Sequence, residues 1–360
     1  ASFFVEADEV CALKNSHAIF IAVVRSPLFS FNRVPQVLKL ITSFSDASAA
    51  HEAAADRIAA ALDRYQEQPS ILDPQLEAMV TPLLESVRTV ARGGKTGAEA
   101  AVLPHACRVM YTLCKVRGYK TIVKFVPHEV AALEPLVHLL ARYPPSDCDS
   151  WQIAYALMVW LSMVVMVPFD LSIIDSSLAD EANGGAGGGS PLVKSIERLA
   201  LGYLGSTGPA REAAAILLAR LLTRPGLNQM LSAFVTWGGS ELQKGRSGEG
   251  EEQSGGVNKM SFLMVGIYSA LAQVFKLGHR AELLPQLPLL GALTRDSQAL
   301  LNDSSVLRRK LGMKLLQRVA AVHLPPRVAA WRYQRGSRSL EKNLQLSAEA
   351  SAAAAGGGGG

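Results

Sequence analysis

Between Ser150 and Phe169 the chain carries no charged residue, and from Trp151 to Val167 (WQIAYALMVWLSMVVMV) every face of the helix it would form is apolar. Such a helix must leave water, either by spanning a bilayer or by becoming the central buried helix of a large helical protein. The flanks decide between the two. Asp147 and Asp149 stand ahead of the run as capping residues, Pro168 stops it, and the uncharged stretch reaches the minimum length of a span only when both flanks are counted. Asp170 then follows at once, without the Lys/Arg cluster that accompanies a membrane boundary. The expectation is a soluble protein without a membrane span, built around a buried Trp151 helix.

The rest of the chain must supply helices to surround it. Of 360 residues 49% are hydrophobic but only 6% aromatic, and alternating β-branched runs are scarce, which favours an all-α protein. No strand, glycine turn and helix follow one another as a dinucleotide-binding fold requires. Helical patterns succeed each other from Val34 to Leu346. They include Asp73–Ala91, with Asp73 as N-cap and Pro82 expected to kink it or split it in two, then Leu103–Val116, Pro209–Thr223, Gly226–Phe234, Val257–Leu277, Glu282–Leu293, Val306–His323 and Arg327–Leu346. Two Gly-rich polar stretches, 180–190 and 238–256, read as flexible loops within a single array over 34–346. Residues 1–33 form an unassigned leader and 347–360 a low-complexity tail that gives the chain the look of a fragment.

Two of these segments rhyme. Placing Arg211 of PAREAAAILLARLL on Arg308 of LRRKLGMKLLQRV superposes positions 214, 215, 218 and 222 on 311, 312, 315 and 319, all small or apolar. A basic residue early, small residues where helices approach, then leucine is the inner-helix pattern of HEAT-like pairs. No pair buries its apolar face alone, so the fold expected is a HEAT/armadillo-like helical-repeat solenoid.

Motifs that would make the chain an enzyme or a metalloprotein each lack a member. Gly93-Gly94-Lys95-Thr96 has Thr89 where a phosphate loop needs its first glycine, and a helix where it needs a strand. His128-Glu129 lacks the second histidine, because position 132 is alanine, and Ser206 has Leu204 where a nucleophile elbow needs glycine. Cys11, Cys107, Cys114 and Cys148 show no paired spacing and read as reduced thiols, with Cys107 and Cys114 as small core residues. No cofactor, metal or catalytic residue is expected.

Charge is unevenly spread. The net charge is +5, yet residues 301–346 hold ten Lys/Arg against Asp303 and Glu341. Candidate partner-binding cations are Arg308, Arg309, Lys310 and Lys314 on one helix and Arg332, Arg335 and Arg338, beside Trp331, on the next.

KVRGYKT (115–121) with FVPHEV (125–130), WLSMVVMVPFDLS (160–172), RKLGMKLLQR (309–318) and VAAWRYQRGSRSLEKNLQL (328–346) closely resemble the N-terminal region of the tubulin-specific chaperone D family. YQEQP (65–69) and AREAAAILLARLLTRP (210–225) fit the same pattern, so the resemblance covers about residues 57–346 in collinear order. It implies a cytosolic, cytoskeleton-associated helical-repeat protein with no active site of its own, which takes β-tubulin after the chaperonin. It further implies work with tubulin cofactors C and E and an Arf-like small GTPase on the α/β-tubulin heterodimer, and stimulation of tubulin's GTP hydrolysis together with cofactor C. Family members are much longer than this chain, and residues 1–56 and the two Gly-rich stretches depart from the pattern. The alternative reading is a nucleic-acid-binding or generic protein-interaction α-solenoid, which the basic stretch with Trp331 and Tyr333 alone supports; nucleic acid is not the expected partner.

Overall fold

The structure, a computed structural model, describes residues 51–93, 97–175, 190–247, 256–291 and 300–324. The leader, the Val34 helix, most of the 180–190 stretch, the Arg327–Leu346 helix and the tail lie outside the described residues. The chain divides into two compact units, Ala1–Val319 and Ala320–Gly360, and the first holds the packed helices.

Among the described residues every regular element is helical. The longer ones are α1 (His51–Asp63), α2 (Leu76–Ala91), α3 (Gly97–Leu113), the short α4 (Tyr119–Ile122), α5 (Leu133–Ala141), α6 (Trp151–Val164), α7 (Pro191–Tyr203), α8 (Ala210–Leu222), α9 (Asn228–Ser247), α10 (Gly256–Leu277), the short α11 (Arg280–Leu283) and α12 (Val306–His323). Their packing sorts them into two layers. One is the row α3, α6, α8, α10, each against the next; the other holds α2, α5, α7 and α9, which back onto α3, α6, α8 and α10 in turn. Each second-layer helix precedes its partner in the chain, so the unit is a stack of helix pairs, the repeat architecture read from the Arg211 and Arg308 rhyme.

The centre of that stack is α6. Ile153, Ala154, Leu157, Met158, Val159, Trp160, Leu161 and Val164 are buried, and Trp160 donates its indole N–H to the Pro127 carbonyl at 3.1 Å. Towards α3, Tyr111 stands edge-on to Trp151 and Tyr155, with ring centres 4.7 and 5.1 Å apart. On the other side, Ala213, Ala214, Ala215, Leu217 and Leu218 of α8 are all at 0% exposure, because a helix sandwiched between two row neighbours can leave no face polar. Within α10, Lys259–Leu277 is long and apolar enough by length and composition to cross a bilayer, but 56% of that stretch is buried within the protein.

Several boundaries differ from the sequence reading. The loop expected over 238–256 is helix as far as Ser247, and two glycines taken for loop residues, Gly238 and Gly245, are contact points. A Cβ on Gly238 would sit 3.1 Å from the Ile267 side chain and one on Gly245 2.5 Å from the Met264 sulfur, so both let α9 lie close against α10. Pro82 does not split α2, whose buried stripe of Met79, Val80, Leu83, Leu84 and Val87 runs unbroken past it. Asp73 is no N-cap. It lies in a 3-10 turn, Pro69–Gln75, and accepts a hydrogen bond from Arg117 Nη2 at 2.8 Å, the main reason its carboxyl is held below the usual range. The helix expected over Glu282–Leu293 becomes α11 followed by a 3-10 turn, Leu284–Leu290, because Pro285 and Pro288 withhold the donors an α-helix needs.

Candidate functional site

Where α6 ends, the amides of Val165, Met166 and Val167 turn back onto the carbonyls of Leu161, Met163 and Val164, and Pro168 has no N–H to carry that turn further. Arg220 and Arg224, four residues apart on α8 and its C-terminal turn, share the face that meets this end. Arg220 Nη1 donates to the Ser162 carbonyl at 3.1 Å and its hydroxyl at 2.9 Å. Arg224 donates to the carbonyls of Val165, Val167 (2.7 Å) and Phe169. Two guanidinium forks thereby close the helix terminus and sit at the negative end of its dipole. Burial lowers the pKa of both arginines, which nonetheless keep their charge.

Along the held backbone of 165–169 the side chains of Val165 and Val167 turn inward and those of Met166, Pro168 and Phe169 outward. Met166 is 47% exposed and Phe169 58%, and across the opening Leu277 at the end of α10 is 48% exposed. Together with Leu171, Leu227 and the stem of Arg224 they line a groove of about 740 Å³. Several exposed apolar side chains lining one groove form a contiguous patch rather than scattered single residues.

Cations gather around Lys276, whose neighbour in the chain is the groove residue Leu277. Tyr119 at the start of α4 lies within electrostatic reach of Arg220, and its neighbour Lys120 approaches Lys276, the residue before Leu277. From α12, Lys314 and Arg318 face the same point. The field of Lys120, then desolvation and the fields of Arg318 and Lys314, push the Lys276 ammonium below the ordinary lysine range. Lys120, Lys276 and Lys314 are exposed, and none has a carboxylate partner among the described residues. Arg318 is anchored by a hydrogen bond to the Ala272 carbonyl.

The cations singled out from sequence divide. Arg308 is held internally, donating to Asp303 at 2.7–3.0 Å and to the Ser261 hydroxyl at 2.6 Å. Asp303 stays below the ordinary carboxylate range even though burial pulls it upward, because Arg308 and the Ser305 amide hold its charge. Arg309 donates to the Asp303 carbonyl at 2.8 Å, Lys310 is exposed, and Lys314 joins the groove cluster. Arg332, Arg335 and Arg338 lie outside the described residues. The early basic residues of the rhyme act alike. Arg211 stands over the Phe262 ring, 6.0 Å from its centre, while Arg308 binds neighbouring Ser261, so each ties its helix to the start of α10.

Sequence reasoning missed Lys120, Lys276, Arg220 and Arg224. The arginines were legible in principle, since a basic pair four apart that ends a helix facing an uncharged one suits that neighbour's unpaired carbonyls. The remaining motif residues have ordinary roles. Glu129 pairs with Arg88 and Arg92, His128 is exposed, and burial pushes the thiols of Cys107 and Cys114 up to about 12. Lys95 and Thr96 lie outside the described residues.

The family model "Tubulin-specific chaperone D-like, ARM repeat" matches residues 62–242, just over half of the chain and including both walls of the α6–α8 contact, and a second, "Tubulin-specific chaperone D-like, ARM repeats", matches 307–357. The chain belongs to the tubulin-specific chaperone D-like family. Among its relatives is the tubulin-specific chaperone D of Dictyostelium discoideum, 28% identical over 365 residues, which cover 78% of this chain and 25% of that protein. Another is the tubulin-folding cofactor D of Schizosaccharomyces pombe, 28% identical over 204 residues, 57% of this chain and 16% of that one. The chain thus spans at most a quarter of the length of these relatives. A crystal structure of an engineered protein overlays 80% of this chain and 97% of its own, with 19% identity and a TM-score of 0.42, a likeness too loose to carry an argument.

Proposed function

We propose that this chain is the helical-repeat portion of a tubulin-folding cofactor, a scaffold that holds a tubulin subunit and does no chemistry of its own. The observation that carries the reading is the family match over 62–242, which takes in the arginine-closed end of α6 and the lining of the groove beside it except Leu277. Physically, a row of packed helices with an exposed apolar groove and an unpaired cationic edge is suited to holding an acidic protein surface. In the finer form of the proposal the subunit is β-tubulin released from the chaperonin. Tubulin cofactors C and E and an Arf-like small GTPase then join the complex in which the α/β heterodimer is assembled or dismantled and tubulin's GTP hydrolysis is stimulated. The setting is the cytoplasm, in association with the cytoskeleton. The test is size-exclusion chromatography of the full chain with radiolabelled β-tubulin released from chaperonin. Co-elution supports the proposal; β-tubulin that elutes at its own position whatever the chain concentration removes it.

A further inference from the structure

We infer that the α6–α10 groove and the cations at its edge form one docking surface for an acidic protein segment with an apolar anchor residue. The anchor enters between Met166, Phe169 and Leu277, and the carboxylates meet Lys120, Lys276 and Lys314. This rests on the scaffold reading for its biological partner and adds the face that partner uses.

The groove and the cations are parts of one place. Lys276 and Leu277 are consecutive, Lys120 approaches Lys276, and its neighbour Tyr119 lies within electrostatic reach of Arg220, which lines the groove. Folding brings three lysines and Arg318 together from α4, α10 and α12 with no ion pair to a carboxylate among the described residues, although like charges repel, and Asp170, the carboxylate lining the groove, lies near Arg224 instead. A helix row has room to place an acid there and does so elsewhere, at Arg117 with Asp73, Lys115 with Asp63 and Arg308 with Asp303. A ligand that brings carboxylates would supply the counter-charge that these cations do not find among the described residues. Its apolar component follows from the groove, whose 740 Å³ lies within the range that encloses a small ligand or a few side chains. An acidic protein segment combines both chemistries. Single-stranded nucleic acid would need a series of stacking rings, and of the groove side chains named above only Phe169 is aromatic.

The probe is a fluorescein-labelled Glu-rich peptide carrying one Phe and one Leu, compared with the same peptide in which every Glu is Lys, and titrated onto the full chain by anisotropy at low and high salt. Wild-type protein should bind the acidic peptide alone and lose it as salt rises. Lys120→Glu with Lys276→Glu should weaken binding by about tenfold or more, and Phe169→Ser with Leu277→Ser by about fivefold. All four side chains are exposed, so the urea midpoint should hold; Lys120→Gln with Lys276→Gln, a milder pair, should still weaken binding if charge reversal disturbs folding. Equal binding of both peptides, wild-type affinity in the lysine variants, or tighter binding of phosphatidylserine vesicles or single-stranded DNA than of the acidic peptide overturns the assignment. Tubulin separates the two claims. If the acidic peptide binds but β-tubulin does not, the scaffold reading fails and the docking surface stands; if β-tubulin binds the lysine variants as it binds wild type, the surface fails and the scaffold stands.

Discussion

Arg224→Ala removes the fork that closes the end of α6. Its three acceptors are not equivalent: Val165 is at 0% exposure and Val167 at 8%, whereas Phe169 is 58% exposed and its carbonyl can turn to water. Two carbonyls are therefore left without a donor in a largely buried setting. Hydrogen bonds to charged groups contribute about 1.5–3 kcal/mol each, and the open groove allows partial rehydration, so the expected loss is about 2–4 kcal/mol. Arg224→Lys should recover less than half of it, because one ammonium cannot span three carbonyls as a planar fork does. The assay is urea unfolding of the full chain followed by circular dichroism and tryptophan fluorescence, whose coincidence checks two-state behaviour. Native hydrogen exchange adds a local readout, with the last turn of α6 opening faster than the first. A loss below about 0.5 kcal/mol, or full rescue by lysine, would refute the claim that the guanidinium closes this helix.

Trp160→Ala, which removes a side chain only 2% exposed and strands the Pro127 carbonyl, should cost about 3–5 kcal/mol in the same urea assay. Gly266→Ala would place a Cβ 2.1 Å from the Leu204 carbonyl oxygen, so one added methyl should destabilise by about 3 kcal/mol, whereas Gly205→Ala, with open space around it, should leave the midpoint in place. Cys107 and Cys114 have thiol pKa values raised from 9.0 to about 12, so the folded state favours the protonated thiols. Their contribution is intact below pH 9 and is lost as pH rises towards 12, and Cys107→Ala with Cys114→Ala should flatten that alkaline decline in midpoint-against-pH curves. Mass-spectrometric mapping of maleimide labelling at neutral pH should find exposed Cys148 modified and these two protected until the protein unfolds.

The fold was largely legible because its strongest determinants are local. An uncharged helix bounded by acidic residues and proline has few places to go, and α6 occupies the centre of the row with Trp160 buried, as read. The Arg211 and Arg308 rhyme pointed to repeats because repeated packing demands small residues at repeated positions, and Ala214, Ala215, Leu218, Leu222, Leu315 and Val319 are all buried. What failed was glycine and proline read without tertiary context. Gly238 and Gly245 look like a loop in isolation and serve as helix contacts only because Ile267 and Met264 come to meet them. The candidate site was hidden for a different reason. Lys120, Lys276 and Lys314 are separated by long stretches of chain, and the charge count over 301–346 found only Lys314 of the three. That count selected Arg308, which the structure shows paired to Asp303, since density of charge along the chain says nothing about where the counter-charges fold.

Hydrogen-exchange mass spectrometry of the full chain with and without β-tubulin tests the central claim most directly, because it reports which backbone segments a partner covers. A partner seated in the groove should slow exchange in four segments that are distant in sequence, 119–124, 165–171, 223–227 and 273–278, with the slowing lost in the protein carrying Lys120→Glu and Lys276→Glu. Protection confined to other segments, or identical protection in that variant, would contradict it.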